Sequence, residues 1–190
     1  VDYINSITLK ESAEGGKHPD PTYVLVIEDK IYITDNDNHR VVVYDRNTLE
    51  FVLEWGKNGF REGEFRYPFM MATNGTNKLY VVDVINARVQ AFTLRGEYMH
   101  TIGQFGIKEG TFFRPKGISL DNNKRIYITD LYTGVIQVFN EDGVLLALLG
   151  NEFGNTKKFN TPFGITIDSQ NNLYLTEMFP NTVTVLKILE

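Results

Sequence analysis

Four carboxylates fall at matching places in the chain: Asp35, Asp83, Asp130 and Glu177. Carboxylates that converge are hard oxygen ligands, so one chemistry they allow is a cation site, with calcium as the fitting ion. The plainer reading is that each accepts main-chain N–H bonds in the turn that follows it. Asp35-Asn36-Asp37-Asn38 resembles the opening of a calcium loop, but the glycine and distal glutamate of the helix–loop–helix pattern are missing. Arg40 and Arg88 each follow an aspartate by five residues and suit either an anionic ligand or those same carboxylates. A catalytic zinc site needs about three protein ligands. The three histidines, His18, His39 and His100, occupy unlike places in the chain and predict no common metal. There is no cysteine, which removes thiol chemistry and disulfides and leaves the compartment open. Nucleophile motifs are absent, and the glycines of 103–110 are spaced unlike a dinucleotide loop.

The carboxylates match because the segments around them repeat. Ile31-Tyr32-Ile33-Thr34-Asp35 returns as Leu79–Asp83, Ile126–Asp130 and Leu173–Glu177, with tyrosines about 47 residues apart, the mark of a repeat architecture. Pro68, Pro115 and Pro162 each stand about twelve residues before a tyrosine. A short apolar strand follows each proline, then an Asn/Asp-rich turn (Asn74–Asn77, Asp121–Asn123, Asp168–Asn172) of the kind that joins hairpins. After the tyrosine strand come β-branched and aromatic runs at 40–44, 88–92, 135–139 and 183–188. A fourth strand is predicted at 51–55, 98–102 and 145–149, with glycine-rich connections behind it. No long segment has helical apolar spacing. A four-stranded unit of this length is a β-propeller blade, so the fold class is all-β, a propeller of about four blades.

The repeats run over about 20–67, 68–114, 115–161 and 162–190, as one domain of 190 residues. The last copy has no fourth strand, and Tyr3–Leu9 reads as a surplus strand at the front. The N-terminal strand is therefore expected to complete the last blade and bury its edge. The alternative is that 3–9 belongs to a preceding blade of a longer propeller.

Pro115-Lys116-Gly117-Ile118, Ile126–Asp130 and Ile136–Phe139 together resemble the NHL repeat, as does Tyr32–Tyr44. The resemblance spans about 20–188. Val135, Glu177 and Thr182 depart from its Asp and Arg positions, and Pro21 lies eleven residues before Tyr32 with no Pro-x-Gly. It implies a non-enzymatic module that binds a protein partner or its own copy. It also admits a metal-dependent hydrolase or lyase using the four carboxylates, and an RNA binder. A net charge of −5 argues against nucleic acid. The longest apolar run, 144–149, is far too short for a membrane-spanning helix.

Within a repeat, recurring residues serve the blade and varying ones are free to set specificity. Phe65, Phe112 and Phe159 recur before the prolines and are expected in the core between blades. Arg66, Tyr67, Arg114, Lys116, Tyr132, Phe163 and Met178 vary. They lie in loops that should gather on one face of the ring and carry residue types favoured at protein interfaces. These seven are the expected binding residues.

Overall fold

The structure, a computed structural model, describes residues 5–11, 17–150, 155–179 and 181–189. Its elements are strands joined by turns, and they form a four-blade β-propeller. The first blade holds β1 (Pro21–Ile27), β2 (Lys30–Asp35), β3 (Arg40–Asp45) and β4 (Phe51–Trp55). The second holds β5 (Pro68–Thr73), β6 (Lys78–Asp83), β7 (Arg88–Thr93) and β8 (Tyr98–Ile102). The third holds β9 (Pro115–Leu120), β10 (Ile126–Asp130), β11 (Val135–Phe139) and β12 (Leu145–Leu148). The fourth holds β13 (Pro162–Ile167), β14 (Asn172–Glu177) and β15 (Thr182–Lys187). Every pairing within a blade is an antiparallel meander of neighbours.

The hairpin turns close as their Asx residues dictate. Asn74 Oδ1 accepts from the backbone N–H groups of Thr76, Asn77 and Lys78 at 3.0–3.1 Å. Asp121 Oδ1 accepts from Asn123 and Arg125, and Asp168 Oδ1 from Gln170 and Asn172. In the third and fourth blades the recurrent tyrosine pins the same turn, Tyr127 and Tyr174 donating to Asp121 Oδ2 and Asp168 Oδ2, each at 3.1 Å, whereas Tyr32 donates to Leu94 O of the second blade. A polar tip on an aromatic body suits a side chain that fills the core and must still find a partner.

Alternation along each strand sends one set of side chains toward the preceding blade and the other toward the following blade. Apolar cores therefore form between blades. Tyr32, Val41 and Val43 of the first blade meet Met71, Leu79, Val81 and Phe92 of the second. Tyr80, Val82, Val89 and Ala91 meet Ile118, Ile126 and Ile128. Tyr127, Ile136 and Val138 meet Ile165, Leu173 and Leu175. Phe65, Phe112 and Phe159 are buried in these layers, as expected. The innermost strands β1, β5, β9 and β13 touch in sequence, and no comparable contact joins β13 back to β1.

The expected completion of the fourth blade by Tyr3–Leu9 is not formed among the described residues. Residues 5–11 make no strand, and Ile7 and Leu9 pack on Ile33, Val42 and Tyr44 of the first blade. The fourth blade keeps three strands. Apolar attraction for the bare face of the first blade holds this segment there. Tyr3 and Ile4 lie outside the described residues.

Candidate functional site

Each carboxylate ends the second strand of its blade, opposite the opening proline: Asp35 faces Pro21, Asp83 Pro68, Asp130 Pro115 and Glu177 Pro162. They sit at equivalent heights, and protein donors occupy them. Asp35 accepts from Asp20 N, Asn38 Nδ2 and Arg40 Nε at 2.8–3.0 Å. Asp83 accepts from Arg66 N, Asn86 Nδ2 and Arg88 Nε at 2.8–2.9 Å. Burial nevertheless holds the Asp83 carboxyl above the usual carboxylate range, against the pull of those three donors. Asp130 takes four backbone N–H groups, from Phe113, Arg114, Tyr132 and Thr133. Glu177 takes Asn160 N and the Thr184 hydroxyl. The geometry is that of loop clasps: all four hold the loop before their blade, and Asp35, Asp83 and Asp130 tie it to the turn after the second strand, whereas Glu177 ties it to β15. Among the described residues no three His, Cys, Asp or Glu side chains gather as a metal site. His18 is exposed, His39 is buried beside Tyr67, and His100 lies on β8.

Those clasps position the variable residues. Leu131 N donates to Arg114 O, Ile85 N to Arg66 O and Met178 N to Thr161 O, so loop and turn lie side by side in the last three blades. In the third blade this apposition stacks the Tyr132 ring on Phe113, centroids 4.1 Å apart and planes 26° from parallel. Phe105, from the loop after β8, also packs on Phe113, tilted, with ring centres 5.3 Å apart. Tyr132 is 66% exposed and Phe105 is exposed too, so a ladder of three rings faces solvent. The Arg114 guanidinium stands 5.8 Å from the Phe113 ring centre.

Arg114, Pro115 and Lys116 run from this ladder toward the ring axis. The position after each opening proline carries Phe69 in the second blade, Lys116 in the third and Phe163 in the fourth. These three meet. Lys116 Nζ lies 4.8 Å from the Phe69 ring centre and 5.6 Å from that of Phe163, and the two rings stand edge-to-face at 5.6 Å. Burial first, and then the charge of Arg114, hold the Lys116 ammonium below its ordinary value. A cation flanked by ring faces is stabilised by their quadrupoles and keeps N–H donors for a carboxylate or carbonyl.

The seven expected residues thus divide. Arg114, Lys116, Tyr132 and Phe163 belong to one continuous ladder and axial cluster. Tyr67 stands apart, its ring edge-on to His39 at 4.9 Å and its N–H donating to His39 Nδ1. Arg66 and Met178 are exposed on their own loops. Phe69, Phe105 and Phe113 were not among the seven. The sequence signal for Phe113 was the one used for the others: Arg66 and Asn160 stand in its place in neighbouring copies. Phe105 differs likewise from Asn58, its counterpart in the bridge to the buried phenylalanine.

No known family profile matches the chain. Solved structures share its fold at low identity. The WD40 repeats of RRP9 superpose with a TM-score of 0.72 at 12% identity, over 91% of this chain and 49% of that one. A nidogen/laminin complex gives 0.64 at 18% identity, over 84% and 55%. Virginiamycin B lyase from Staphylococcus aureus, an inactive H270A form with quinupristin, gives 0.63 at 16% identity, over 90% and 56%. The chain spans about half the length of the solved chains it matches.

Proposed function

We propose that this chain is a non-enzymatic, NHL-type propeller module that binds a protein partner through the ring face of its second to fourth blades. The observation that carries this reading is the solvent-facing ladder Phe105–Phe113–Tyr132, joined through Arg114 to Lys116 and its two flanking rings. Aromatic and arginine side chains dominate binding energy at protein interfaces. Here they are held by the Asp130 clasp, so little ordering entropy remains to be lost on binding. The chemistry recognised is an extended polypeptide carrying apolar side chains and a carboxylate. The rings take the apolar groups, and Arg114 and Lys116 take the charge. The neighbours support the setting: one is nidogen in complex with laminin, another a WD40 repeat protein.

The test is affinity capture from the chain's own cellular source, comparing the wild type with a Phe113→Ser, Arg114→Ser, Tyr132→Ser variant. A protein retained by the first and lost by the second, with circular dichroism unchanged, is the expected result. Equal retention by both would overturn the reading.

A further inference from the structure

The turn between the first two strands differs in the first blade. Asn74, Asp121 and Asp168 hold one place in the other three, each donating its backbone N–H across the hairpin to the carbonyl of Lys78, Arg125 or Asn172. Ile27, opposite Lys30, holds that place in β1. Only Glu28 and Asp29 close its hairpin, where the second blade uses three residues. A side chain with no hydrogen-bonding atom thus stands where the other blades have an Asx residue.

The turn between the last two strands of the next blade faces this place. Between the second and third blades the meeting is polar and closed. Asn74 Nδ2 donates to Glu141 Oε1 at 2.7 Å, and Lys78 Nζ to Glu141 O at 3.3 Å. Leu94 stands in the second blade where Glu141 stands in the third, each two residues after the buried phenylalanine that ends the pairing, Phe92 or Phe139. Between the first and second blades the facing pair is therefore Ile27 and Leu94, and the link there is the Tyr32 O–H donating to Leu94 O at 3.1 Å.

A cavity of 480 Å³ opens at this point, lined by Ile27, Tyr32, Val43, Val52, Leu53 and Leu94. Sites for small molecules run to about 300–1,000 Å³ and are mostly apolar. It lies between two four-stranded blades that follow one another in the chain, at the end of the strands opposite the carboxylate clasps. The charged residues of its wall are Glu28, Asp29, Lys30 and Arg95, two carboxylates and two cations, so neither sign of ion is favoured. Lys30 Nζ is already held by Asp29 at 2.7 Å and Asp45 at 3.0 Å.

We propose that this cavity binds a neutral, apolar small molecule, seated between Ile27 and Val43 of the first blade and Leu94 of the second. Apolar surface removed from water supplies the affinity. The site does not rest on partner binding by the ring face, which uses other residues.

N-phenyl-1-naphthylamine, a neutral apolar fluorophore, is the probe. Trp55 is the chain's one tryptophan, and its ring centre lies 6.4 Å from that of Tyr32 in the cavity wall, near enough to pass excitation to a bound probe. Titration of the whole chain is expected to saturate at one probe per chain with Trp55 emission quenched. Ile27→Asn with Leu94→Glu copies the Asn74 and Glu141 pair of the next interface. This double variant is expected to bind about tenfold more weakly or worse, with an unchanged β spectrum. Tyr132→Ser is expected to bind as the wild type does. Absence of saturable binding, equal affinity in the double variant, or loss of binding in Tyr132→Ser would overturn the proposal. Nuclear Overhauser contacts in the unaltered chain give a check that needs no variant. They are expected from the probe to the methyl groups of Ile27, Val43 and Leu94, and contacts to other residues alone would overturn it.

Discussion

Phe113 stacks its ring on Tyr132 at 4.1 Å, and Phe112, one residue earlier, packs its ring on Phe139 at 5.7 Å inside the core. Two adjacent phenylalanines thus point to opposite jobs, one joining blades and one facing solvent. The split follows from the Asp130 clasp, which takes the Phe113 N–H and sets the direction of the loop. Phe112→Ala is expected to cost about 3–5 kcal/mol of unfolding free energy, as large-to-small changes in a packed core do. Tyr132→Ala is expected to cost less than about 1 kcal/mol, as surface changes do. Urea titration of both variants checks the contrast.

The clasps themselves are structural. Asp83→Ala removes the acceptor of the Arg66 N–H, the Asn86 amide and Arg88 Nε at a buried site, while the Arg88 guanidinium keeps its carbonyl acceptors on Phe60, Arg61 and Glu64. Each buried donor left without an acceptor costs about 1–3 kcal/mol. Thermal unfolding is expected to show a large fall for this variant, without any dependence on added calcium or chelator.

Gly117 is set by closeness. A Cβ there would stand 2.3 Å from the carbonyl oxygen of Phe163 on the next blade's innermost strand. Thr129 Oγ1 bridges the same two strands, accepting from Gly117 N at 2.7 Å and donating to Phe163 O at 2.9 Å. Gly117→Ala must push β9 from β13 and move Phe163 off Lys116. A lowered melting temperature together with an altered Lys116 amine reactivity is the expected outcome.

Acid should weaken the fold through histidine. Burial holds the His39 and His100 imidazoles below their usual value, and His39 Nδ1 accepts from Tyr67 N, which requires it unprotonated. The unfolded chain binds these protons first, near pH 6.5. The contribution is therefore full above that pH and is lost as pH falls through the lower folded values. His39→Asn, tolerant of the left-handed backbone at this position (φ 56°), is expected to flatten the fall in melting temperature between pH 7.5 and 5.

The blades were legible because their signals are local. Tyrosine, proline and Asx residues recur at fixed offsets, and each serves its own turn or layer, so the predicted strands match the observed ones closely. The pairing of Arg40 and Arg88 with aspartates was legible for the same reason. What a sequence does not carry is which blades meet through the axis. Phe69, Lys116 and Phe163 come from three repeats, and their contact depends on ring curvature. Of the two places the sequence leaves open for 3–9, completion of the fourth blade is the one not formed among the described residues, for a related cause. A strand-like segment fits any blade edge, and packing of Ile7 and Leu9 on Tyr44 decided which.

The central claim is that the ladder of the third blade is where a partner protein sits. Site-specific photo-crosslinking in the living source tests it most directly, with p-benzoylphenylalanine at position 132 and, as control, at position 95 in the exposed turn between β7 and β8. The account predicts a light-dependent covalent adduct with another protein from position 132 and none from position 95. No adduct from 132, or the same adduct from both positions, would contradict it.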